Sequence, residues 1–309
     1  MVLAFMKTIT STLLAASLAL GLVSCKKDSP AADGKAGAST ETAARTLRFS
    51  AIPDENATEL TEKFNKVAAY LSKELGVPVE YQHSVDYAAS VEAFKNGDIH
   101  LAWFGGLTGV QAREAVDGAR AIAQGIEDPD YVSYFIANAS TGLEKSDDFP
   151  AAIADKKFTF GSKSSTSGRL MPSFFIERFS GKKPEDFFTQ EAAFSGSHDN
   201  TIEFVASGRA EVGALSYKTF DKRVKEGKVD PAKVKIIWTT PTYADYNWTA
   251  HPDLETAFGE GFTDKLQKVL ISVKDPVLLD AFNRTEIISA KNEDFDGVKQ
   301  IATDLDMLR

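Results

Sequence analysis

From Leu47 onward the chain alternates between short apolar runs and longer runs whose apolar residues recur every three or four positions. This alternation constrains the fold most, because parallel strands need crossover helices to bring the chain back to the same edge. Leu47–Ile52 reads as a strand broken by Pro53-Asp54-Glu55-Asn56. Thr58–Leu75 reads as a helix with Leu60, Phe64, Val67, Leu71 and Leu75 on one face, stopped by Gly76-Val77-Pro78. Val79–Tyr81, Tyr87–Lys95, Ile99–Phe104 and Thr108–Val116 continue as strand, helix, strand and helix. The pattern restarts with strands at Tyr131–Asn138 and Phe158–Phe160 and a helix running to about Phe179. Glu191–Phe194 leads into Ser195-Gly196-Ser197-His198-Asp199, a helix then runs to Ser207, and Ala210–Leu215 and Val234–Trp238 read as strands. Thr263–Val273 and Pro276–Ala281 read as helices, and no internal repeat is visible. The order predicts two α/β lobes, each a mixed, mainly parallel sheet flanked by helices, with the chain crossing between them near Ala137 and Trp238.

The first 45 residues differ in kind. Lys7 precedes an uncharged run of small and apolar residues from Thr8 to Val23, which is short for a membrane span and fits an export signal over 1–24. The run ends in Leu22-Val23-Ser24-Cys25, which resembles a bacterial lipoprotein box. Cys25, the one cysteine of the chain, is then the expected site of lipidation; the competing reading is an ordinary signal with an incidental cysteine. Residues 26–45 carry no large apolar side chain, so nothing there offsets the entropy of ordering, and 25–45 is expected to be a flexible tether. The expected organisation is leader 1–24, tether 25–45, first lobe 46–136 with 239–309, and second lobe 137–238.

The 309 residues include 35 Lys+Arg and 44 Asp+Glu, for a formal charge of −9 with no basic stripe, which argues against a nucleic-acid partner. One cysteine excludes an intrachain disulfide and Cys-based zinc or iron–sulfur sites.

The chemistry concentrates where strands give way to helices. A helix N-terminus offers free amide donors and the positive end of the helix dipole, so it suits an anion. In Phe160-Gly161-Ser162-Lys163-Ser164-Ser165-Thr166-Ser167-Gly168, four consecutive hydroxyl residues exceed the single one that capping needs. In Trp103-Phe104-Gly105-Gly106, glycines would let backbone approach a ligand closely. The third junction is Ser195-Gly196-Ser197-His198-Asp199, where Ser197 or Asp199 as a plain cap and His198 as a core histidine are the competing readings. No P-loop, GxSxG elbow or HExxH occurs. His83, His100, His198 and His251 are scattered, so neither metal nor cofactor is expected. Ser165, His198 and Asp245 could be drawn as a triad, but no strained nucleophile turn supports one.

These motifs resemble the phosphonate/phosphite-type substrate-binding proteins of ABC importers. The resemblance covers 46–309 and rests on VDYAASVEAF (85–94), DIHLAWFGGLTG (98–109), FGSKSSTSGRLMP (160–172), FSGSHDNTIEFVASGRAEVGAL (194–215) and IIWTTPTYAD (236–245). It implies a two-lobed type II periplasmic binding fold that closes on a small tetrahedral oxyanion and then docks on a membrane permease. It implies that Tyr87, Phe104 and Gly105 line the first lobe's side, that Ser165, Thr166, Ser167 and His198 grip the anion from the second, and that Asp245 is a site carboxylate. Phe104 stands where phosphonate binders often have Tyr. The acid that meets a ligand amine in aminoalkylphosphonate binders is replaced near Tyr217-Lys218, so a cation pocket is not expected. The WFGGLTG variant also resembles a sub-branch named for selenate binding. A monomeric, non-enzymatic, extracytoplasmic protein is implied; the alternatives are a sensing module for a membrane receptor and an enzyme on the same fold.

Selectivity turns on protons. A protonated phosphate or phosphonate brings an O–H and wants an acceptor, for which Asp54, Asp199, Asp245 and a titrating His198 are candidates; sulfate and selenate want donors only. Tyr87, Trp103, Phe104, Tyr243, Tyr246 and Trp248 could shield a P–H or alkyl group, with core packing the competing reading and the favoured one for Trp103.

Overall fold

A computed structural model describes residues 45–308. The expected leader, Cys25 and all but the last residue of the expected tether lie outside the described residues.

The chain begins with β1 (Leu47–Ala51), α1 (Ala57–Leu75), β2 (Val79–Tyr81), α2 (Tyr87–Lys95), β3 (Leu101–Phe104), α3 (Gly106–Ala115) and β4 (Arg120–Gly125). There follow β5 (Ser133–Asn138), β6 (Phe158–Phe160), a π-helical turn (Thr166–Leu170), α4 (Met171–Ser180), α5 (Pro184–Phe187) and β7 (Ala193–Phe194). Next come α6 (His198–Ala206), β8 (Val212–Ser216), α7 (Tyr217–Lys225) and β9 (Val234–Thr239). The chain ends with β10 (Asn247–Ala250), α8 (Asp253–Phe258), α9 (Phe262–Ile271), α10 (Pro276–Phe282), β11 (Ile287–Ser289) and α11 (Asp296–Asp304).

The strands form two sheets. The first has the order β11-β4-β10-β3-β1-β2, and the second β7-β6-β8-β5-β9. β1 pairs in parallel with β2 and β3, and β10 runs antiparallel between β3 and β4. In the second sheet β6 is parallel to β7 and β8, while β5 is antiparallel to β8 and β9. This is the two-lobed α/β architecture that the alternation implies, but the sheets are mixed and not mainly parallel: four strand pairs are parallel and five antiparallel, because the strands next to the crossings, β4, β5, β9 and β10, all pair antiparallel.

Local chemistry explains the elements. Asn56 caps α1 by accepting from the amides of Thr58 and Glu59 (3.0 and 3.2 Å), and Gly76 ends it with φ 74°. Its buried stripe contains Leu60, Phe64, Val67, Leu71 and Leu75. Phe64 and Phe49 pack with Trp248, whose ring centroid lies 6.5 and 5.8 Å away. In the second lobe Phe135 of β5 meets Trp238 of β9 edge-on at 5.2 Å.

The crossings lie elsewhere than expected. Ala137 and Trp238 are interior to β5 and β9, where Ala137 pairs with Val212 and Lys235, and Trp238 with Phe135. The segments joining the sheets are 126–132 and 240–246, and Tyr131 and Tyr243 exchange backbone hydrogen bonds of 2.9 and 3.0 Å across them. Alternating apolar residues continue through β5 and β9, so the sequence pattern marks the sheet and not its edge.

A buried ion pair braces the first crossing. Arg284 Nη2 and Nε lie 2.6 and 2.9 Å from Asp128 Oδ1, and Asp128 Oδ2 accepts from the Gly125 amide at 2.6 Å. A Cβ at Gly125 would fall 2.5 Å from Cγ and Cδ of Arg284 and 2.6 Å from Asp128 Oδ2. Gly125→Ala is therefore expected to lower stability by ~1–3 kcal/mol, as overpacking does, read from the urea midpoint at constant slope.

Candidate functional site

The hydroxyl-rich junction sits on a backbone fold that two glycines permit. Gly161 donates to the carbonyl of Gly168 at 2.8 Å, and a Cβ on Gly168 would come within 3.1 Å of the Gly161 Cα. Ser165 caps the π-helical turn, its Oγ accepting from the Gly168 amide at 3.0 Å. One hydroxyl thus satisfies the cap, and those of Thr166 and Ser167 serve other partners.

Thr166 reaches the opposite lobe. Its Oγ1 accepts from the Leu107 amide in the first turn of α3 at 3.0 Å, and its hydroxyl lies beside Asp245, whose carboxyl it holds down. Asp245 Oδ1 accepts from the Gly106 amide at 2.8 Å. Gly105 allows this approach: a Cβ there would lie 3.1 Å from Thr166 Oγ1 and 3.3 Å from Asp245 Oδ1. Asp245 is 1 % exposed and its Oδ2 has no hydrogen-bond partner among the described residues. Burial raises its pKa to about 7, against the opposing pull of the Gly106 amide and the Thr166 hydroxyl.

Tyr87 opens α2, which Asp86 caps through the Ala89 amide at 2.7 Å. Its hydroxyl is buried beside Ser165 without a hydrogen bond of normal geometry. Burial, reinforced by Asp54, pushes its pKa well above the usual tyrosine value, so it stays a donor. His198 opens α6, its amide donating to the carbonyl of Asp54 at 2.9 Å. Nδ1 faces the Ser216 amide at 3.5 Å, and Nε2 faces Ser167 Oγ at 3.5 Å and Tyr246 Oη at 3.3 Å. Burial lowers its pKa to about 4, so near neutral pH it is a neutral ring, not a titrating one. With Nδ1 turned to a backbone donor, we assign the proton to Nε2, which makes His198 a fixed donor.

Tyr87, Gly105, Ser165, Thr166, Ser167, His198 and Asp245 therefore meet between the two sheets. Among the described residues no Lys or Arg hydrogen-bonds to any of them. Phe104 differs: its ring is fully buried edge-on against Phe94 at 5.7 Å, so it contributes backbone to the junction and its side chain to the core. Trp103 and Trp248 are likewise core, and the Tyr243 hydroxyl is held by Ser133 Oγ at 2.6 Å. Asp199 faces Arg223 (2.6 and 2.7 Å), not this cluster. Asp54 lies beside the site, accepting from Tyr246 Oη at 2.7 Å, with its pKa raised to about 7 by burial and then by Glu55.

Sequence reasoning missed the hydrogen-bonding role of Tyr246, the amides of Gly106 and Leu107, and the charge clasp beside the site. In that clasp Lys222 meets Glu55 at 2.6 Å, and Arg223 meets Glu59 at 2.8 Å as well as Asp199. The Asn56 amide also donates to Asp199 at 2.8 Å, so the entry to α1 in the first lobe is tied to α6 and α7 in the second.

A family model described as the periplasmic phosphonate substrate-binding protein of ABC transporters matches residues 49–295. The chain is 37 % identical over 272 residues to a probable ABC transporter phosphite-binding protein of Prochlorococcus marinus, spanning 86 % of this chain and 91 % of that one. It is 31 % identical over 237 residues to a phosphate-import protein of Mycolicibacterium smegmatis, spanning 72 % and 70 %. A solved structure of the Prochlorococcus marinus protein with methylphosphonate aligns at TM-score 0.81 and 37 % identity, over 85 % of this chain and 98 % of that one.

Thr166→Ala removes an acceptor for Leu107 and the hydroxyl beside Asp245. Methylphosphonate affinity is expected to fall tenfold or more by calorimetry, with an unchanged circular dichroism spectrum.

Proposed function

The chain belongs to the periplasmic phosphonate-binding family of ABC transporters, and from that membership we propose that its ligand is a small tetrahedral phosphorus oxyanion, phosphite or a short alkylphosphonate. It is a substrate-binding component of an importer and not an enzyme, with a permease as its partner. The observation that carries the ligand reading is a pair of buried polar atoms, Tyr87 Oη near Ser165 and Asp245 Oδ2 near Thr166, that have no hydrogen-bond partner among the described residues. A tetrahedral anion with one proton satisfies both. Tyr87 donates to an anionic oxygen, and Asp245 accepts the ligand's O–H or supplies that proton itself.

Ser165, Thr166, Ser167 and His198 Nε2 add donors, and the first turn of α3 adds the positive end of its dipole. Fixed dipoles replace hydration here, which is how a dianion leaves water without a matching Lys or Arg. Lobe closure brings both sets of donors onto the anion, hinged at 126–132 and 240–246. No covalent step is needed.

Sulfate and selenate fit less well. They have no proton to give near neutral pH, so Asp245 must hold one, and it loses that proton as pH rises through about 7. Above that point a bare carboxylate faces a dianion. In the wild type, sulfate and selenate affinity is expected to fall as pH rises through 7, and methylphosphonate affinity less steeply. Asp245→Asn offers a permanent donor and acceptor, so the phosphonate-over-sulfate preference should shrink by one to two decades, the value of a contact worth ~1–3 kcal/mol. A thermal-shift and calorimetry panel of phosphite, methylphosphonate, phosphate, sulfate and selenate checks this. Stabilisation by sulfate or selenate at least as strong as by phosphite and methylphosphonate would overturn the ligand assignment.

The same reading makes the protein a periplasmic monomer held to a membrane by lipid on Cys25. Cys25→Ser is expected to move it from the membrane fraction to the soluble fraction, and retention in the membrane would remove Cys25 from that role.

A further inference from the structure

We propose that Arg284 sets the size and charge of the ligand: its guanidinium fills an aromatic cage adjoining the anion site and so excludes ammonium-bearing and longer alkyl substituents. The inference rests on the oxyanion reading above and adds a residue that fixes its selectivity.

The guanidinium carbon of Arg284 lies 4.7 Å from the ring centre of Tyr246, 5.2 Å from Tyr131 and 5.7 Å from Trp103. Three aromatic faces around one cation make the arrangement that receives ligand ammonium groups in general. Here the protein's own cation occupies it. Tyr246 is the shared wall, because its hydroxyl lies 3.3 Å from His198 Nε2 and 2.7 Å from Asp54 Oδ2. On the far side a narrow cavity is lined by Asp54, Trp103, Tyr131, Tyr246, Phe282 and Arg284.

Arg284 is a filler more than an anion receptor, because four of its five N–H donors are already used. Nε and Nη2 bond Asp128 Oδ1, while Nη1 donates to the carbonyls of Phe282 (2.7 Å) and Asn283 (3.1 Å). Its stem occupies the space that the missing Cβ of Gly125 leaves. Remove the guanidinium and the cage retains three aromatic faces and the Asp128 carboxylate, which is a receptor for a primary amine.

The test is calorimetry with methylphosphonate, propylphosphonate and 2-aminoethylphosphonate on three full-length proteins: wild type, Arg284→Ala, and Asp128→Asn with Arg284→Ala. Wild type is expected to favour methylphosphonate at least tenfold over the other two. In Arg284→Ala the amine-to-methyl affinity ratio is expected to rise tenfold or more. In the double variant the propyl-to-methyl ratio should rise at least threefold, with no advantage of the amine over propyl. Ratios within twofold of wild type in both variants overturn the proposal, as does wild type accepting propylphosphonate as well as methylphosphonate. An equal gain for the amine in the double variant overturns the charge half. Should Arg284→Ala fail to fold by circular dichroism, the double variant decides through its propyl-to-methyl ratio. Wild type that binds neither methylphosphonate nor phosphite defeats the oxyanion reading, a result distinct from failed selectivity.

Discussion

The hydroxyl of Thr166 is where the two lobes become one molecule around a site. It accepts from α3 of the first lobe and lies beside Asp245, on the return crossing, while rooted in the second lobe's π-helical turn. Every other element of the site is arranged so that this contact can form. Gly105 leaves out a side chain that would crowd it, Gly161 and Gly168 let the loop fold under it, and Ser165 takes the capping duty that would otherwise compete for it. The proposed anion site is therefore built largely from dipoles already held in place, which is the condition for binding charge without reorganisation.

Much of this is legible in the sequence because helix starts leave a chemical trace. The run Ser164–Ser167, the glycines after Phe104 and the Ser197-His198 pair each stand where a strand ends, and the fold brings them together. What stays hidden has a common cause: polar residues that are buried. β10 reads Asn-Trp-Thr-Ala, and its Asn247 and Thr249 are fully buried and bonded to Arg113. The inward face of α7 is Thr219, Phe220 and Arg223, so apolar periodicity has little to find. β4 buries Gln124 in the same way, whereas α8 and β11 are simply short, and α11 buries only Val298 and Ala302. Phe104 shows the converse: the resemblance puts it at the ligand, and its ring is turned into the core. Arg284 lies far along the chain from Tyr131 and Tyr246, and nothing local marks it.

The charge clasp between residues 55–59 and 199–228 adds register more than strength. Glu55 and Lys222 are 8 % and 9 % exposed in their pair, so closing the lobes strips water from both charges before their attraction is gained. The balance of such a pair is small, but a misaligned closure would bury the charges without partners. The clasp therefore penalises wrong closures. It also sits next to the site in sequence: Glu55 follows Asp54, and Asp199 follows His198. A movement that seats one seats the other.

The hydrogen-bonded crossing of Tyr131 and Tyr243 bears on how costly closure is. Two independent connectors would let the lobes twist, slide and bend, and a ligand would have to arrest all of those freedoms. Stitched into a ribbon, the connectors bend chiefly about one axis. Fewer open arrangements then have to be given up, and the entropic toll of shutting falls accordingly. A guest of only a few heavy atoms can contribute little contact surface, so under the proposed closure a frame that surrenders little disorder is what would let so small a molecule shut a protein of this size.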